Sequence, residues 1–591
     1  MDNSKEKYTW DLSLLSDKEI NFKNEKEVIK EKVDSFVERW EESDFLIDAE
    51  TLGEALDDYE KLMVNFGTSG KAGYYYFLKR SLNQSDSNLK AKQKKVEEFS
   101  QKQENRLRFF TLRISKTDEK KQKEFLNSPL LTDYKNFLKK LFRKGEYSLS
   151  QKEERILSLK SGPAYSNWVD MVNRFLAEEE RVILTPGGKK ETKSFSEITS
   201  LINDKDKKVR DSAAEAFNEI LDKNSKIAEV ELNSVLENKK VNDWLRGFSK
   251  PEESRYISDD VEEETVNNLV EAVTDNFQIA RDYYKLKANL FGVEKLKYHE
   301  RNVPYGDLTA DYSFKEAKEL VGEVLGDLDG QFLDIFNKFL DGRIDLRPKK
   351  GKRGGGFCIH NLITQPVYIL LNYTDKLEDV LTLIHEAGHG INNELMREEQ
   401  NSLNFGVSTF TAEVASTFFE DFVTEEIKRR SGRDLKLAIL MNKLNRDIST
   451  IHRQVAAVNF ERDLHNRFRD KGYLSKEEVG MLFKSHMEAY MGDFVEQSDG
   501  SQNWWVYWSH IRRFFYNYSY AGGLLISKSL QSKVKESPGY VKEVKTFLKA
   551  GTSKSPKEIF KEMGLNIQSK DFWSRGLKET ENLLKEAESL T

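Results

Sequence analysis

A mainly helical fold is what this sequence predicts, and three features point to it. Only nine prolines and 33 glycines interrupt 591 residues, which favours long uninterrupted helices over many short strands. Apolar residues recur at helical spacing beside charged faces over most of the chain. Strand-prone composition is confined to two short stretches.

Residues 19–180 read as successive amphipathic helices, of which "EALDDYEKLMVNF" (54–66) and "VEEFSQKQENRLRFFTLRI" (96–114) are the clearest. Charge runs such as "KAKQKK" (90–95) are solvated faces of such helices. Around 181–195, "RVILTPGGKKETKSF" places Pro-Gly-Gly between β-prone flanks, the pattern of a hairpin. A loose domain boundary is expected there, dividing an N-terminal helical domain (1–195) from a larger C-terminal domain (196–591). Helices resume with "DKKVRDSAAEAFNEIL" (206–221) and continue to about 340. "KKGKRGGGFCIH" (349–360) then leads into a strand-like "QPVYILLNY" (365–373). The glycine run lacks the Gly-Lys-Ser/Thr of a phosphate loop and reads as a mobile loop. Beyond residue 405 the pattern is helical to the end, with no internal repeat and no low-complexity tail.

A chain of this length exceeds what one core usually supports, so two or more subdomains are expected. Charged residues make up 33% and nearly cancel, to a net of -6. That balance argues against nucleic acid or anionic lipid as partners. The single cysteine, Cys358, excludes an internal disulfide framework and fits a reducing compartment. With no signal-like N-terminus and no apolar run of about 18 residues, a soluble cytoplasmic protein is the expectation.

The chemistry concentrates in "LIHEAGHGIN" (383–392). Leu377, Val380, Leu381, Ile384, Ala387, Ile391 and Leu395 give the spacing of a helix with one buried face. His385 and His389 lie one turn apart on it and project the same way. Two neutral imidazoles so placed can grip one Zn2+. Glu386, turned about 100° from His385 by the helical repeat, lies beside the metal and can reach its water. With eight histidines and 100 acidic residues, random placement gives roughly 0.02 His-acid-x-x-His matches per chain. Chance is a poor explanation. Gly388 and Gly390 each cost roughly 1 kcal/mol against alanine in a helix, which close approach of another backbone or of a substrate would explain.

Zinc in a peptidase needs a third protein ligand and a free fourth position. "STFTAEVASTFFEDFV" (408–423) reads as the next helix, opened by Ser408 or Thr409 as N-cap. Within it Glu413 stands among Ala412, Val414 and Ala415, a costly place for a carboxylate unless it is paired or binds metal. Glu413 is therefore the expected ligand. Glu420 and Asp421 are candidates to orient a ligand histidine or are solvated helix-end charges.

Together these stretches resemble the oligoendopeptidase F branch of the thimet-oligopeptidase-like zinc metallopeptidases. The likeness runs from "YTWDLSLL" through "GGGFC" and "ILLNYTDKLEDVLTLIHEAGHG" to "WSHIRRFFYNYSYAGG" and covers most of the chain. It implies zinc bound by His385, His389 and Glu413, with Ser416 completing the Glu-x-x-Ser pattern. It also implies two helical lobes enclosing a deep channel, with a small sheet beside the zinc helix. In the wider family a histidine is followed, eight to twelve residues on, by Tyr-x-x-Tyr, whose last tyrosine contacts the oxyanion. Aligning "FYNY" with that element makes His510 and Tyr518 the expected donors, with Tyr516 and Tyr520 in reserve. Phe515 departs from the pattern at the first tyrosine.

The reaction so implied is zinc-dependent hydrolysis of internal bonds in short peptides, with Glu386 as general base. A metallocarboxypeptidase with the same zinc helix and a non-catalytic peptide-binding relative are the alternatives. "PVYILLNY" reads either as an edge strand that pairs with an extended peptide or as a strand paired on both sides. His299, His360, His452, His465 and His486 are expected to be ordinary packed or surface residues, His360 deserving most notice because it follows the glycine loop. Oligomeric state is not legible.

Overall fold

Helices account for most of the regular structure in the computed structural model, which describes residues 8–16, 20, 22–308 and 310–591. Residues 1–7, part of the N-terminus in which no signal segment is expected, lie outside the described residues. Side-chain caps fix where many helices start. Asp48 accepts from the Thr51 N–H at the head of Ala49–Asn65, and Asp86 from Asn88 and Leu89 at the head of Ser87–Ser115. Each such cap stabilises a helix by about 1 kcal/mol. Asp206 starts the 40-residue helix Lys207–Arg246, and Gly247 ends it in a left-handed conformation. Among the described residues, no helix is long and apolar enough to cross a membrane.

The chain divides into two compact units, each assembled from separated stretches. The first comprises Met1–Glu146, Leu308–Arg429 and Leu530–Leu565, and the second Tyr147–Asp307, Arg430–Ser529 and Asn566–Thr591. The expected hairpin forms, Glu180–Leu184 pairing antiparallel with Lys190–Ser194. It lies inside the second unit, however, so the compact units do not follow the boundary expected near residue 195. A turn signal marks a chain reversal, which need not be a domain edge.

Within the first unit, one core gathers Phe36, Trp40, Phe45, Phe110 and Phe125. Another joins the N-terminal "YTWDL" to a small sheet: Trp10 packs with Tyr74, Tyr75, Tyr368 and Leu370, and its indole N–H donates to the Ile369 carbonyl at 2.8 Å. That sheet decides between the two readings of "PVYILLNY". Tyr368–Leu370 is its middle strand, parallel to Ile344–Asp345 and antiparallel to Phe357–Ile359, so it has no free edge for a peptide. Pro366 precedes the paired residues and removes no ladder donor. The outer strand is Phe357–Ile359.

The expectation of helix throughout after residue 405 also needs correction. Residues 492–517 form short 3-10 turns and a two-residue strand, Val495–Glu496, paired in parallel with Leu296–Lys297.

Candidate metal centre

The predicted histidine helix forms over Leu377–Glu399, and on it His385 and His389 face the same way, their rings 5.0 Å apart. The next helix starts later than its N-cap signals suggest, at Val414. Residues 408–413 instead make tight turns, Thr411 N–H donating to Ser408 and Val414 N–H to Thr411. Glu413 thus sits at the mouth of a helix, where exposed N–H groups favour a carboxylate. Ser416 holds it, its hydroxyl donating to the Glu413 carbonyl at 3.0 Å and carboxylate at 3.2 Å.

Here the donors converge. Nε2 of His385 lies 3.4 Å and Nε2 of His389 lies 3.7 Å from one Glu413 carboxylate oxygen. One ligand atom from each of the three residues lies within 4.8 Å of the others. Ligands at the roughly 2.0–2.1 Å usual for zinc stand about 3.3 Å apart in a tetrahedron, so this set fits a single Zn2+. On its far side His385 presents Nδ1 to Glu420 at 3.0 Å. A proton held on Nδ1 leaves the Nε2 lone pair for metal. A second group of donors, Asp211, His299 and Glu300, is already neutralised, since Lys207 reaches both carboxylates and Arg210 bonds Glu300 at 2.8 Å. It is an ion-pair network.

The electrostatics follow from burial and these contacts. Burial opposes charge on His385, but hydrogen bonds to Glu413 and Glu420 outweigh it and push its pKa up to about 10. For His389 burial wins, pulling it down to about 4. Burial would raise Glu413, but its histidine partners and Ser416 hold it near 2. Glu386, 9% exposed, is raised by burial despite the nearby His385 and a hydrogen bond from the Cys358 backbone.

Both helix glycines have structural reasons. A Cβ at Gly388 would lie 2.8 Å from the Ser416 Cα and 3.1 Å from the Ala415 carbonyl, all backbone. At Gly390 it would lie 2.7 Å from the Phe339 ring, a side chain remote from the Glu413 turn. Gly388→Ala should therefore destabilise by about 1–3 kcal/mol and loosen zinc by pushing back the turn that carries Glu413. Gly390→Ala should cost less on both measures. Thermal melts and metal analysis of the two variants check the order. Gly356 has a related role: a Cβ there would stand 3.4 Å from the Glu386 carboxylate, so the glycine loop brings its backbone against that carboxylate. A cavity of about 600 Å³ continues past the outer strand, lined by Tyr74, Phe77, Ile359 and His360. Neither feature was legible from spacing.

In the second unit, His510 stands in the turn Ser509–Arg512. Its ring lies 5.4 Å from Tyr516 and 6.0 Å from Tyr520, whose own rings are 5.6 Å apart. Tyr518 does not join them. It is 0% exposed and its hydroxyl donates to the buried Asp259 at 2.7 Å, which corrects its expected place among the donors. The helix begins at Tyr518, so Tyr516 stands in the turn before it and Tyr520 on its first turn, and the packing of the turn brings the two rings together.

A profile of peptidase family M3 matches residues 200–579, well over half of the chain. The chain belongs to peptidase family M3. Its chemistry is accordingly that of a metallopeptidase, and a profile for oligopeptidase F matches residues 113–177 of the same chain. An oligoendopeptidase F homolog of Borreliella burgdorferi is 26% identical over 575 residues, covering 95% of this chain and 94% of the relative. The plasmid oligoendopeptidase F of Lactococcus lactis subsp. cremoris is 25% identical over 594 residues, 99% and 97% of the two chains. Among solved structures, a Chlamydophila abortus protein superposes with a TM-score of 0.87 at 21% identity, covering 99% and 98%. Oligoendopeptidase-F from Enterococcus faecium does so with 0.71 at 18%, covering 96% and 98%. These likenesses show the mainly helical M3 fold.

In this M3 peptidase the loop after His510 is strained. Phe514 and Phe515 have φ of 54° and 57°, costing roughly 1–3 kcal/mol each. Burial, reinforced by the positive charges of nearby Arg453 and Arg513, holds His510 down at about 4, so its imidazole is neutral at neutral pH. Glu461, 0% exposed, is pushed up to about 7 by burial, although hydrogen bonds from Phe515 and Asn517 pull the other way. The folded chain therefore holds that proton more tightly than the unfolded chain, whose carboxyl titrates near 4.5. Stability should fall as pH rises from about 4.5 to about 7, by up to ~3 kcal/mol. Glu461→Gln should remove this slope. Denaturant unfolding at pH 5 and pH 8 tests it, and an equal wild-type-to-variant difference at both would refute the assignment.

Proposed function

We propose that this M3 peptidase is a zinc-dependent oligoendopeptidase that hydrolyses internal bonds of short, flexible peptides. The observation that carries this reading is the convergence of His385, His389 and Glu413 on one point, with the buried carboxylate of Glu386 on the same helix. His385, His389 and Glu413 would hold Zn2+, which supplies Lewis-acid polarisation of the substrate carbonyl when bound. Glu386 takes the proton from the attacking water and delivers it to the leaving nitrogen, a task suited by its raised pKa. The outer strand Phe357–Ile359, whose Cys358 N–H already meets Glu386, offers its remaining outward main-chain groups to an extended substrate, giving binding with loose sequence preference. His510, with Tyr516 and Tyr520, donates to the carbonyl oxygen as it gains charge; both tyrosines replace Tyr518 in this role.

A side-by-side digest of a mixed peptide pool and a stable folded protein, read by mass spectrometry, tests the reading. Internal cleavage of peptides, sparing of the folded protein and loss of activity on chelation are expected. Products shortened only by single terminal residues would instead indicate a carboxypeptidase. No cleavage by fully zinc-loaded protein would indicate a binding relative.

A further inference from the structure

The loop that carries the tyrosines does not hold its own shape. Between His510 and Tyr516 the chain turns through two consecutive phenylalanines in the left-handed region, a conformation that residues with a Cβ avoid and that persists only when surroundings enforce it. Glu461, on the helix His452–Lys471, meets this turn from within the core. One of its carboxylate oxygens accepts the Phe515 N–H at 3.0 Å, and the other accepts the Asn517 side-chain amide at 2.9 Å. The pair of bonds brackets Tyr516 in sequence. On the outer side Arg255 donates to the carbonyls of Arg513 and Phe514.

We infer that Glu461 is a positioning residue for the reaction, fixing the strained 513–517 turn so that Tyr516 is presented beside His510 and Tyr520. A carboxylate out of water is costly and is retained where its geometry is needed. Here it satisfies a backbone N–H that no regular secondary structure takes up, at the residue whose backbone is strained. The inference rests on the reading of His510, Tyr516 and Tyr520 as donors to the substrate carbonyl.

Variants of the zinc-loaded enzyme test it. Glu461→Met replaces the carboxylate with an apolar chain of similar length and leaves both donors unmet. It should lower kcat by roughly tenfold or more while KM and zinc content stay close to wild type. Glu461→Gln should restore kcat to within about threefold, because its carbonyl accepts from Phe515. The Asn517 side-chain oxygen, which has no partner among the described residues, would then accept from the new amide. The decisive measurement is coupling: Tyr516→Phe should cost much activity in the wild type and little more in the Glu461→Met background. Should Glu461→Met melt early or lose zinc, Asn517→Ala, which deletes one of the two bonds, must show the same coupling. Full kcat in Glu461→Met, or additive losses with Tyr516→Phe, would overturn the inference. Full activity of Tyr516→Phe and Tyr520→Phe in the wild type would instead overturn the donor reading on which it rests.

Discussion

Glu386→Gln should keep its zinc and lose turnover by roughly 10²–10⁴-fold, the contribution typical of a positioned general base. The variant is nearly isosteric, so the close approach of Gly356, where a Cβ would stand 3.4 Å from the carboxylate, is preserved. None of the three converging donors is touched, so metal affinity should hold. The loss should fall on kcat, with KM little changed, because the proton transfer belongs to the transition state. Metal analysis beside steady-state kinetics is the check. Zinc loss comparable to that of a ligand variant would mean that Glu386 is bound to the metal and is not the base.

His385→Ala and Glu413→Ala should each remove zinc and activity together. A three-donor set has no redundancy, and loss of one leaves two ligands for an ion that prefers four. Glu420→Gln sets the scale. Its carboxylate meets His385 at 3.0 Å without joining the donor set, and loss of such a partner costs roughly 10–100-fold in metal affinity or activity. Alanine at 385 or 413 should exceed that, and added zinc should rescue the Glu420 variant first. Competition against a chelator of known affinity orders the three. Equal affinities for Glu413→Ala and wild type would exclude Glu413 as a ligand and reopen the choice of the third donor.

How much of this was legible follows the range of the interactions. His385, Glu386 and His389 could be placed from the sequence because the helical repeat fixes their mutual geometry over four residues. Glu413, 24 residues further along, was found by its apolar neighbours, although the helix expected to contain it starts just after it. The helical class was written in the periodicity of apolar residues and the scarcity of proline. Only tertiary structure could show that the backbone of Ser416 accounts for Gly388 and the ring of Phe339 for Gly390, since both contacts come from other helices. The same holds for the sheet. Periodicity marked Tyr368–Leu370 as a strand, but hydrogen bonds to residues far away in sequence made Phe357–Ile359 the outer one. Tyr518 was chosen over Tyr516 by motif alignment, and the fold reversed the choice by burying its hydroxyl against Asp259. Glu461 carried no signal at all, because its role lies in two bonds to residues more than 50 positions away. Sequence by itself determined what short-range repeats can encode, the helices and the mutual placement of His385, Glu386 and His389. Which backbones touch, which strand is outermost and which hydroxyl is already taken were decided by long-range packing.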